Sequence, residues 1–71
     1  MNKIIARNAS PDAVSEIAVV YTDTPAVRNG WRYSVVRLNL RGEVVTTLAN
    51  RRTEELARQE ANRVWMQDAG R

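Results

Sequence analysis

The chain contains no cysteine and no histidine. The first absence rules out disulfides. The two together all but rule out a zinc site, because zinc favours thiolate and imidazole ligands. They also remove the thiol nucleophile and the imidazole general base. Carboxylates remain, but they are spread along the chain and point to no shared cleft. A chain of 71 residues also has difficulty enclosing a pocket of a few hundred Å3. The expectation is therefore a protein that is not an enzyme and needs no cofactor or metal.

Long apolar runs are missing too. Nothing approaches the roughly 20 residues of a membrane span. The opening MNKIIARN has a basic residue but no sustained apolar segment of the kind a signal peptide needs. These features lead us to expect a soluble, cytoplasmic protein. Internal repeats and low-complexity segments are also absent.

Length sets the energetic frame. Residues 1–71 read as one small domain. A domain of this size buries only about 60% of the surface of its unfolded chain. Ordering it costs roughly 1.5 kcal/mol per residue, on the order of 100 kcal/mol in all, which apolar burial barely offsets. With disulfides and metals excluded, a tight core or self-association must make up the difference. A monomer and a homodimer both satisfy that requirement.

What the chain does have is arginine, unevenly placed. Ten of its eleven cationic residues are Arg. Residues 24–52 hold Arg28, Arg32, Arg37, Arg41, Arg51 and Arg52 against Glu43 alone. The segments on either side each carry one acid more than they carry bases. Arginine makes planar, bidentate contacts to carboxylate or phosphate that lysine cannot. A positive field over the middle of the chain is the consequence.

That middle, residues 31–49, reads as two antiparallel strands around a tight turn. Asn39-Leu40-Arg41-Gly42 places Asn first and Gly fourth, the pattern of a three-residue hairpin loop with a left-handed glycine. This turn sets Leu38 opposite Val44, Val36 opposite Thr46 and Ser34 opposite Leu48. One face is then Ser34, Val36, Leu38, Val44, Thr46 and Leu48. The other is Trp31, Tyr33, Val35, Arg37, Val45, Thr47 and Arg51. A slip of one residue would mix the two sets.

Upstream, residues 1–13 read as an N-terminal arm in which 1–7 can form an edge strand. Ser10-Pro11-Asp12 resembles a helix start. Val14, Ile17, Ala18 and Tyr21 would then share a helical face. Residues 15–22 are, however, dense in β-branched side chains and alternate at Ile17, Val19 and Tyr21, so a strand is expected there. A third strand also stabilises a hairpin that is marginal alone. Residues 22–30, with Pro25 and Asn29-Gly30, form the longest connection.

Residues 53–67 are the helix. Thr53 is a good N-cap, and Glu54 and Glu55 suit the N-terminus. Ala57, Ala61, Val64 and Trp65 form its apolar stripe, with Leu56 at the edge, and Glu54 pairs with Arg58 at i,i+4. The fold expected is α+β: a three-stranded antiparallel sheet over residues 15–49 with a C-terminal helix on one face. The more aliphatic face, Val36, Leu38, Val44 and Leu48, is expected beneath the helix. The open face then presents Trp31 and Tyr33 beside Arg37 and Arg51, with Arg28 and Arg41 at its margins. These six residues are the expected partner-binding set.

Two resemblances bear on the partner. Trp31-Arg32-Tyr33 with Thr53, Ala57, Ala61 and Trp65 resembles the arm-type domains of phage integrases and AP2-like domains. That implies a sheet reading nucleic acid in the major groove. Residues 19–25 (VVYTDTP), 31–35 (WRYSV) and 42–45 (GEVV), followed by the Ala-rich helix, resemble small phage-encoded anti-CRISPR proteins of sheet-plus-helix type. This second likeness spans residues 18–66 and is the preferred one. It implies a stoichiometric inhibitor that docks on a protein surface of a bacterial defence complex, in the cytoplasm of the host.

Overall fold

Alternating β-branched residues build most of the molecule, and an alanine-lined helix closes it. The computed structural model describes residues 2–9, 15–23 and 30–70. In chain order it contains β1 (Asn2–Ala9), β2 (Glu16–Thr22), β3 (Tyr33–Leu38), β4 (Val44–Arg51) and α1 (Glu54–Ala69). The strands form one antiparallel sheet in the order β1-β2-β3-β4. The α+β architecture with a C-terminal helix is as expected, but the sheet has four strands rather than three. The extra one is the N-terminal segment, which pairs with β2 from Asn2 opposite Thr22 to Ala9 opposite Glu16. Ser10-Pro11-Asp12, which resembles a helix start, the Pro25 turn and Arg28 lie outside the described residues; the strand expected over residues 15–22 is present.

β2 is a strand because its alternation is satisfied on both sides. Ile17 and Val19 point into the core beneath the helix, while Ala18 is buried on the opposite face. In register, Ile17 lies opposite Arg37, Val19 opposite Val35 and Tyr21 opposite Tyr33. The Tyr21 and Tyr33 rings sit 5.3 Å apart at 53°.

The β3–β4 turn forms as its sequence dictates. The Gly42 N–H donates to the Asn39 carbonyl at 2.9 Å. The Asn39 side-chain oxygen accepts from the Arg41 and Glu43 amides at 2.9 and 3.0 Å. Gly42 has φ +81°, a left-handed conformation that glycine adopts without a Cβ penalty. Leu38 stands opposite Val44, as expected. Beyond that pair the register departs from expectation. Val36 faces Thr47 rather than Thr46, and Ser34 faces Asn50 rather than Leu48. Two irregularities, between Val35 and Val36 and between Arg37 and Leu38, each add one residue to β4. A bulge of this kind bends its strand and increases local twist.

The helix begins at its cap. Thr53 is extended (φ −128°, ψ 158°) and its hydroxyl accepts from the Leu56 amide at 3.2 Å. Glu54 and Glu55 occupy the first turn, where carboxylates favour the positive end of the helix dipole. The helix runs two residues further than expected, to Ala69. Its buried residues are Ala57 and Ala61. Small side chains there let the helix backbone come close to the sheet.

The covered face is the reverse of the one expected. The helix packs on Ile17, Val19 and Val35, with Tyr33 and Ala49 at the margin and Ile5 and Ala6 from β1. Val36 and Leu38 belong to a second cluster, with Ala18 and Val20, on the other face. β2 accounts for the difference. It contributes Ile17, Val19 and Tyr21 to the face of Val35, and only Ala18 and Val20 to the face of Val36 and Leu38. Counting large side chains across three strands rather than two favours the face the helix covers, since burial contributes in proportion to apolar area. Among the described residues, no helix is long and apolar enough to cross a membrane.

Candidate protein-docking surface

The reversal of the faces rearranges the expected binding set. Tyr33 is half-buried against the helix-side core. Arg37 lies on that same face, and its guanidinium is engaged twice. It donates to the Ser15 hydroxyl at 3.0 Å and to the Asp68 carboxylate at 3.0 Å. The side chains of that ion pair are 24% and 21% exposed. Arg51 meets Glu60 of the helix at 3.3 Å and donates to the Asn50 carbonyl at 2.7 Å. Tyr33, Arg37 and Arg51 therefore join sheet to helix and do not form an open surface. Trp31 precedes β3 and is partly exposed. Arg32 donates to the Asp23 carbonyl. Arg41 is exposed at the turn, where its side chain has no ion pair among the described residues.

Charge pairing continues around the sheet. Arg7 and Glu16, diagonal neighbours on β1 and β2, are bound at 2.7 and 2.9 Å. Hydrogen bonding to Arg7, with its positive charge beside it, holds the Glu16 carboxyl below the usual range even though desolvation opposes it. Glu54 and Arg58 make the expected i,i+4 pair at 2.8 Å. No group of three or more acidic residues among those described is placed to hold a metal.

Of the nine large apolar side chains exposed among the described residues, four lie on β4 and the turn before it; the others are Ile4 on β1, Trp31 ahead of β3, and Leu56, Trp65 and Met66 on α1. Leu40 is 73% exposed, Val44 57% and Val45 62%, and Leu48 is also exposed. Every residue from 44 to 48 is exposed. Val44 lies opposite Leu38, so it extends the second apolar cluster to the surface. Val44 and Leu48 were expected in the core.

The two sheet edges differ. β1 carries Lys3 and Arg7 and a register shift at Ile5. Helix side chains reach over it: the Trp65 indole N–H donates to the Ala9 carbonyl at 2.8 Å, and Arg58 donates to the Ile5 carbonyl at 3.4 Å. Charge, a bulge and occupied carbonyls are the usual protections of an edge strand. β4 has bulges, but residues 44–50, VVTTLAN, contain no charge, proline or glycine.

One surface open to contact is thus a hairpin tip with exposed leucine and valine beside Arg41, which has no ion pair among the described residues. Exposed apolar side chains that are contiguous along a hairpin are a common mark of an interaction site. No family model, no curated protein and no solved structure matches the chain.

Proposed function

We propose that the protein is a small non-enzymatic binding module that docks on a protein partner through the tip of its β3–β4 hairpin. The observation that carries this reading is the exposure of Leu40 and Val44 beside Arg41. An apolar anchor next to an arginine is the combination that dominates binding energy at protein interfaces. Arg41 would meet a carboxylate on the partner.

Charge supports a protein partner over nucleic acid. The arginine surplus of the hairpin is reduced by the helix, because Asp68 and Glu60 pair with Arg37 and Arg51. The sheet face that combines aromatics with these arginines lies under α1. The likeness to small anti-CRISPR proteins makes a bacterial defence complex the partner class to test first, with the protein acting as a stoichiometric inhibitor.

The test is a plaquing assay on CRISPR-active hosts of several subtypes, expressing either the wild type or the Leu40→Asp/Arg41→Glu variant. The wild type should restore plaquing in one subtype. The variant should lose that effect, with partner affinity reduced on the order of tenfold or more. Intact immunity in every subtype would remove the inhibitor reading. A parallel gel shift on random duplex DNA at about 0.1 M salt should show no retardation at micromolar protein. Retardation that falls steeply with added salt would turn the reading to nucleic acid.

A further inference from the structure

We infer that β4 pairs through its outer edge with β4 of a second copy of this chain, in antiparallel register about a two-fold axis near Thr47. The inference stands independently of the docking partner and begins from the contrast between the two edges. β1 is guarded by Lys3 and Arg7 and by helix side chains seated on the Ile5 and Ala9 carbonyls. Among the described residues no side chain guards the uncharged stretch of β4 in this way, and its first five residues are exposed. A strand edge of this composition presents unpaired backbone donors and acceptors and favours addition of another strand.

The charges at the two ends of β4 point to a second copy, antiparallel, as the occupant. Glu43 stands just before the strand, and Arg51 and Arg52 at its end. An antiparallel two-fold pairing brings the start of one β4 beside the end of the other. Glu43 of each copy then comes beside the Arg51-Arg52 end of its mate, twice across the axis. The Glu43 and Arg52 side chains are exposed and neither has an ion pair among the described residues, whereas Arg51 is held by Glu60. Parallel pairing would instead set like charges side by side, which is unfavourable.

Size supplies a second argument. Among the described residues, eight apolar side chains are buried: three alanines, three valines, one isoleucine and one leucine. A chain of 71 residues has a marginal core and leaves stability to be gained from association. The bulges of β4 limit the contact. They add twist, so a second strand follows β4 only over the short stretch around Thr46 and Thr47. The dimer is accordingly a weak, concentration-dependent one. Its two hairpin tips lie at opposite ends of the joined strands, so each dimer carries two copies of the docking tip.

Sedimentation velocity on the full chain, from about 1 µM to about 1 mM, should show a monomer–dimer equilibrium. Val45→Lys puts a charge on the exposed edge and should weaken dimerisation at least about tenfold. Glu43→Arg and Arg52→Glu should each weaken it similarly, and the double variant should restore it to within about threefold of the wild type. These positions are exposed, and circular dichroism will confirm that each variant is folded. A wild type that stays monomeric across the range overturns the inference. So does a dimer that survives Val45→Lys, or a double variant no better than the singles. The Leu40→Asp/Arg41→Glu variant should still dimerise, which separates this result from the docking test.

Discussion

Arg37 looks, in sequence, like a solvated cation on a basic strand. In the fold it is a connector. Its guanidinium reaches Ser15 ahead of β2 and Asp68 in the last turns of α1. The helix has no basic residue of its own in its last turn. Arg37 thus brings positive charge to the negative end of the helix dipole from a different element. Removing it would take a charge-assisted hydrogen bond from a half-buried carboxylate. We expect Arg37→Ala to lower stability by about 2 kcal/mol, read from the urea midpoint at constant slope. Arg37→Glu should cost more, because it sets a carboxylate against Asp68. A midpoint unchanged in both variants would mean that the contact contributes nothing in solution. The pairing was not legible from local sequence. Asp68 lies 31 residues away, and the contact depends on how the helix crosses the sheet, which no local pattern encodes.

At the level of elements, legibility follows how local the determining interactions are. The turn at Asn39 to Gly42 and the cap at Thr53 were readable because each is closed within a few residues. The pairing of Leu38 with Val44 was readable for the same reason. The register farther along β4 was not, because the two extra residues respond to twist across the whole hairpin. β1 could be read as a strand or an arm, since its strand character depends on β2 for hydrogen bonds. Gly42 offers a clean measurement at this scale. A Cβ there would meet nothing within 4 Å, so any penalty on substitution comes from the backbone at φ +81°. Gly42→Ala should therefore cost about 1–2 kcal/mol. Gly42→Asn should cost less, because Asn tolerates the left-handed region. Equal losses for the two would indicate that the turn relaxes out of that conformation.

At the scale of the whole molecule, one choice governs the site: which face of the sheet the helix covers. A hairpin considered alone makes the aliphatic face of Val36 and Leu38 the natural core. β2 reverses the balance with Ile17, Val19 and Tyr21. That reversal places Tyr33, Arg37 and Arg51 inside the fold's own contacts and leaves β4 exposed from Val44 to Leu48. If β4 pairs with a second copy, folding and association are linked, because only the folded chain presents the edge. Free protein at ten times the dissociation constant then adds about 1.4 kcal/mol to stability. For a domain this small, that corresponds to a rise of roughly 6–11 °C in Tm. Calorimetry across a hundredfold range of concentration should show the rise in the wild type. Val45→Lys should melt at one temperature throughout, near that of the dilute wild type. A wild-type Tm that does not move with concentration would separate folding from association and return β4 to the role of a solitary edge, guarded by its bulges alone.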